Sequence, residues 1–121
     1  MITIYQIQLT DDQIDAVNAG LQVEAFKVRS RMQFGFKRSK FCEDYLQYYT
    51  KGWTIDTDDV EEAFAVANGM GDRYKARRFG RPYSASVGDI FVNDDGDCFV
   101  CDTFGFVSVG KYDIGDLKKV A

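Results

Sequence analysis

At 121 residues the chain has the length of one domain and can bury a core without a stapling disulfide or a structural metal. Its 45% hydrophobic and 15% aromatic content excludes an intrinsically disordered chain, and a net charge of −4 argues against a general nucleic-acid binder. No apolar run approaches the roughly 20 residues that cross a bilayer, so no membrane partner is expected. Residues 1–10 lack the charged start and cleavage site of a signal peptide. Three cysteines, an odd number, fit reduced thiols, and a cytoplasmic location is expected.

In chain order, Ile2 to Leu9 alternates, with Tyr5, Ile7 and Leu9 on one side and Gln6 and Gln8 on the other. That period predicts a strand that joins a sheet made further along the chain. Thr10 with Gln13 three positions on forms a capping box, and Asp11 and Asp12 sit at the positive end of the helix it starts. Ile14 and Val17 are expected to face inward, with Gly20 near the helix end. Leu21, Ala25, Val28 and Met32 recur at helical spacing, which predicts a second helix to about Phe34, interrupted by Gly35. Phe41, Tyr45 and Tyr48, with Leu46 and Tyr49 beside them, predict a third, aromatic helix closed by Lys51-Gly52. Trp53 to Ile55 reads as a short strand. Asp58-Asp59-Val60-Glu61 repeats a capping-box signature before a helix striped with Val60, Phe64 and Ala67 and stopped at Asn68-Gly69.

Gly71 to Pro82 holds the only proline and several glycines, and reads as an irregular connection. Beyond it, Gly88-Asp89 is expected to turn the chain into a strand, and Asp95-Gly96 to close a two-residue hairpin that sets Val92 opposite Phe99 and Phe91 opposite Val100. Both sides of that hairpin are apolar, so it should be covered on both faces or rolled into a small barrel. The expected architecture is α+β: an N-terminal strand and three to four helices packed on a C-terminal antiparallel β-meander or a small SH3-like, partly open barrel. It forms a single domain over 1–121, with a mainly helical part at 1–70, a connector at 71–83 and a β-module at 84–121.

Chemistry-bearing constellations are sparse. The chain has no histidine, and no serine stands in a nucleophile-elbow sequence. Asp89, Asp94, Asp95, Asp97 and Asp102 lack EF-hand spacing and suit turns instead. Cys98 and Cys101 have half-zinc-site spacing, yet residues three apart on a strand point to opposite faces, so buried thiols are the simpler account. No catalytic residue, metal or cofactor is assigned.

Charge is unevenly spread. No acid falls between Glu24 and Glu43, where Lys27, Arg29, Arg31, Lys37, Arg38 and Lys40 lie, nor between Asp72 and Asp89. The second window, 73–81, holds Arg73, Lys75, Arg77, Arg78 and Arg81, interleaved with Tyr74 and Phe79 and followed by Tyr83. Such a mixture grips phosphates while stacking bases; solvated salt bridges are the bland alternative. Tyr45, Tyr48, Tyr49 and Trp53 read as core or core-edge packing, or alternatively as a face for a protein partner.

Ser84 to Val92 and Cys98 to Phe106 resemble the C-terminal module of small, mostly uncharacterised proteins encoded by tailed bacteriophages and other mobile elements. Ile4 to Thr10 and Trp53 to Asn68 are similar to the same group. The resemblance implies a non-enzymatic accessory protein that binds a host protein, in host takeover or counter-defence, and carries over no catalytic residue. A nucleic-acid-associated protein using windows 27–40 and 73–81 is the alternative. Open strand edges at Ile2 to Leu9 or near Leu117 to Val120 would favour a homodimer.

Overall fold

The computed structural model describes residues 1–34 and 36–114. Six strands form one open antiparallel sheet: β1 (Ile2–Gln6), β2 (Thr50–Ile55), β3 (Ala76–Arg78), β4 (Ile90–Val92), β5 (Asp97–Asp102) and β6 (Gly105–Lys111). Their spatial order is β3-β2-β1-β4-β5-β6. The expected α+β class and the C-terminal meander β4-β5-β6 are present, and the sheet does not close into a barrel. Among the described residues, the helices α1 (Asp11–Asn18), α2 (Glu24–Gln33) and α3 (Val60–Ala67) accompany it, with 3-10 turns at Arg38–Lys40, Glu43–Tyr48 and Arg73–Lys75.

β1 pairs with β2 on one side and β4 on the other. It is therefore a central strand, and the condition set for a homodimer, an open edge at Ile2 to Leu9, is not met by Ile2–Gln6. Among the described residues the edges are β3 and β6. The second expected edge, near Leu117 to Val120, lies outside the described residues, as does Gly35.

Each face of the sheet carries its own core. Tyr5, Ile7, Ile90, Cys98, Val100 and Val109 pack with Ala25, Val28 and Met32 of α2. Ile2, Ile4, Trp53, Ile55, Phe91 and Cys101 pack with Ala63, Val66 and Ala67 of α3. Ile90 and Phe91 are both fully buried, one in each cluster, which is why the hairpin sequence is apolar on both sides.

The hairpin register differs by one residue from the expected one. Phe91 pairs with Phe99 and Val92 with Cys98, so the loop is Asp94-Asp95-Gly96 rather than Asp95-Gly96. The Asn93 side-chain oxygen accepts from the amides of Asp95 and Asp97, both at 3.0 Å, and the Gly96 amide donates to the Asn93 carbonyl. That wrap consumes a third loop residue, with Gly96 at φ 84 in the left-handed conformation such loops require. One residue of slip exchanges faces, which puts Val100 with Ile90 and Phe99 with Phe91.

Local capping signals fare well at the first helix. Thr10 accepts from the Gln13 amide and Gln13 answers at the Thr10 amide. At α3 the cap is Asp59, accepting from the Glu61 amide. Packing departs from periodicity in two places. α1 has no buried residue, and Ile14 is 38% exposed. Leu21 precedes α2 and is 65% exposed, because the helix begins only at Glu24. The expected aromatic helix is a 3-10 segment, Glu43–Tyr48, and Lys51-Gly52 does not close a helix but belongs to β2. Pairing of Thr50 and Lys51 with Gln6 and Tyr5 draws the backbone into the sheet ladder directly after Tyr49. The connector at 71–83 likewise contains a 3-10 turn and the edge strand β3.

Candidate functional site

β3 pairs with β2 through Ala76–Ile55, Arg77–Thr54 and Arg78–Trp53. The Asp56 amide on the Lys75 carbonyl and the Phe79 amide on the Gly52 carbonyl extend the ladder at both ends. Successive strand residues point to opposite faces, so Arg77 and Arg78 straddle the edge. Arg78 lies 5.2 Å from the Trp53 ring centroid. Arg77 lies 5.7 Å from that of Phe79, which Lys51 approaches at 4.3 Å. Arg73 sits 5.2 Å from Tyr74, and Arg29 of α2 reaches across to Tyr83 at 5.4 Å. All fall within the roughly 6 Å at which a cation is attracted to a ring face.

Carboxylates hold little of this charge. Among the described residues, Lys75 is the one cation of window 73–81 in an ion pair, with Glu62 at 3.0 Å. Thr57 first, then Lys75, hold the Glu62 carboxyl below its usual range, and hydrogen bonding to Glu62 raises Lys75. Arg73, Arg77, Arg78 and Arg81 are exposed, and the first three lie over rings rather than on acids. Beside them, a cleft of about 340 Å³ opens between β3 and the C-terminal end of α3, lined by Trp53, Asn68, Arg73, Arg78, Pro82 and Ser84.

The segment after β3 is pinned by a buried polar network. Gln6, 2% exposed, accepts from the Tyr83 amide at 3.0 Å and donates to the Tyr83 carbonyl at 2.9 Å and to Asp89 Oδ2 at 3.0 Å. The Trp53 indole donates to the same Tyr83 carbonyl at 2.9 Å, and the Ser86 amide donates to Asp89 Oδ2 at 3.0 Å. The approach is close. A Cβ on Gly52 would stand 2.8 Å from Gln6 Oε1 and 3.2 Å from Pro82 Cβ. Burial pushes the Asp89 carboxyl up to about 7, against the hydrogen bonds from Gln6 and Ser86 and the charge of Arg29. Tyr49 donates its hydroxyl to the Gly88 carbonyl at 2.6 Å, and burial, then the Asp89 charge, raises it above the usual phenol range. The network positions the loop from Tyr83 to Asp89.

The two basic windows do not share a face. Arg38 donates to the Val109 carbonyl of β6 at 3.2 Å, at the far edge of the sheet from β3. Arg31 donates to the Tyr45 hydroxyl at 2.6 Å, and Lys27 pairs with Glu24. Arg29 alone of the first window touches the second region, through Tyr83. Lys51 joins the β3 edge although its sequence neighbourhood suggested a helix end; the β-branched and aromatic run Trp53-Thr54-Ile55 just after it was the signal that a strand begins there.

The expected partner-facing row is not one surface. Tyr49 is 1% and Trp53 6% exposed, and they lie in the cores of opposite sheet faces. Tyr45 and Tyr48 are half-buried against the α2-side core. A tryptophan in a strand second from the edge, covered by α3, is committed to packing. Cys98 and Cys101 likewise fall on opposite faces, and burial pushes both thiols up, Cys101 to about 12. Among the described residues, no three potential metal ligands converge, and no helix is long and apolar enough to cross a membrane. Comparisons with protein-family models, with curated proteins and with solved structures each found no match.

Proposed function

We propose that the protein is a non-enzymatic accessory factor of the phage or mobile-element type, that the β3 edge is its working surface, and that a nucleic acid is the partner there. One observation carries the reading. The arginines of an acid-free window stand exposed on a sheet edge with their guanidinium groups over aromatic rings, not on carboxylates. Ring contact orients a guanidinium while leaving its charge and fork of donors available to phosphate. The remaining acidic surface repels a polyanion, which confines contact to this edge and keeps the site small.

Titration of a labelled oligonucleotide by fluorescence anisotropy tests it. Three neutralised phosphates give a log–log salt slope of about −2 to −3. The double charge reversal Arg77→Glu with Arg78→Glu is expected to abolish binding. Unchanged binding by that variant, or affinity indifferent to salt, excludes this edge.

A host-protein contact is the second reading, favoured by α1. Its apolar Ile14, with Leu21 and Phe26 nearby in sequence, is exposed, and Asp11, Asp12 and Asp15 share the helix. An acidic rim with an apolar centre suits a protein interface.

A further inference from the structure

We infer that the strand accepted at the β3 edge is single-stranded, with bases stacked on Tyr74 and Tyr83; this rests on the nucleic-acid reading of that edge. Tyr74 is 84% and Tyr83 44% exposed. Each has an arginine at one side of its ring, Arg73 at 5.2 Å and Arg29 at 5.4 Å. The exposed ring surface that remains can take a base, giving a guanidinium–ring–base stack.

The backbone that carries both rings is held before any ligand arrives. The Tyr74 amide donates to Asp72 Oδ1 at 3.0 Å, fixing the 3-10 turn. Tyr83 is held at both amide and carbonyl by Gln6. Backbone ordering then adds little to the cost of binding.

Duplex recognition needs a different surface. Reading a major groove takes an α-helix or a two-stranded ribbon, and this edge presents a three-residue strand between a 3-10 turn and a loop. At about 3.3 Å per residue β3 rises about 10 Å, the reach of roughly three nucleotides at 3.4 Å each. A duplex carries twice that charge per length and would bring its second backbone towards the carboxylates at the Lys75 end, Asp56, Glu62 and Asp72. Stacked bases in a duplex also offer no free face to Tyr74 or Tyr83 along the helix.

The test is anisotropy with a labelled oligothymidine of about 12 nucleotides, against a duplex of equal length. The single strand is expected to bind at least about tenfold tighter. Tyr74→Ala and Tyr83→Ala should each weaken it by roughly 5- to 150-fold, while Tyr74→Phe and Tyr83→Phe retain it, since the ring and not the hydroxyl stacks. Tyr74 is nearly free of packing, so its alanine variant reports on binding without a folding defect. Equal affinity for duplex and single strand with silent tyrosine variants overturns this inference and leaves the nucleic-acid reading standing. Binding to neither overturns both. Poly-glutamate binding as well as the oligonucleotide also overturns both, and marks the edge for acidic proteins.

Discussion

β3 and β6 are the two terminal strands of one sheet, and each has arginines against it, yet the cations do different work. At β6, Arg38 is exposed and lies 5.9 Å from the Phe41 ring centroid, but it also donates to the Val109 carbonyl, so a backbone group that would otherwise invite another strand is occupied. At β3, Arg77 and Arg78 turn outward on either face and rest on Phe79 and Trp53. β6 runs seven residues and β3 three. A long edge is the greater hazard for strand pairing, and it is the one with a side chain anchored to its backbone. The short edge keeps its charge for solvent or a ligand. Arg38 of one acid-free window thus serves the fold, whereas Arg77 and Arg78 of the other, with Arg29 reaching Tyr83, form the candidate binding set.

The largest expected effect breaks the comparison at β3. Arg77→Glu with Arg78→Glu should cost at least about 100-fold in oligonucleotide affinity, since two attractions become two repulsions, while the unfolding free energy moves by under about 0.5 kcal/mol, as for exposed changes elsewhere. A comparable loss of stability in a urea titration would show these arginines to be structural after all. Next comes Gly52→Ala, whose Cβ has no room against Gln6 and Pro82. About 1–3 kcal/mol of destabilisation is expected, together with weaker binding as the Tyr83 segment shifts.

Asp89 sharpens the contrast through pH. Its folded value of about 7 stands above the ordinary 3.8, so between those values the native state binds more protons than the unfolded chain. Stability contributed by the protonated acid is full below about pH 4 and is lost as pH rises through about 7. Asp89→Asn should flatten the stability profile over that window in thermal melts, whereas an unchanged slope would assign it to other groups. Smallest is Arg38→Ala at β6. Loss of one charge-assisted hydrogen bond, part-exposed, should cost about 1 kcal/mol and leave oligonucleotide affinity as it was; a drop in affinity would mean that the two edges act together.

Much of the fold was legible in short stretches. The alternation in Ile2 to Leu9 placed Tyr5, Ile7 and Leu9 on one face, where they pack. The Thr10–Gln13 box and the Asn68-Gly69 stop marked helix ends correctly. Two-sided apolarity at Ile90 to Val92 foretold a sheet covered on both faces. Misreadings arose where a local signal met a distant partner. Asn93 drew two amides and lengthened the hairpin loop by a residue. Lys51-Gly52, a plausible helix stop, was claimed by pairing with β1. Of the candidate site, the arginines and Tyr74 and Tyr83 were visible as a basic–aromatic run, but Lys51 and Arg29 were not, because they reach it from other elements. Tyr49 and Trp53 read as packing or alternatively as a partner face, and their burial in the two cores decides for packing.

Spacing, caps and turns operate over a few residues, and these the amino-acid order determined by itself: where α1 and α3 begin, that β1 and the β4-β5 hairpin are strands, and that one stretch is basic without an acid. Neighbourhood in space was decided by strand pairing. Insertion of β1 between β2 and β4 sends β3 and β6 to opposite ends, and that placement alone parts the two basic windows, buries the aromatic row and leaves Arg77 and Arg78 at an open edge. Hydrogen bonds between strands far apart in the chain settle such matters, and no local pattern encodes them.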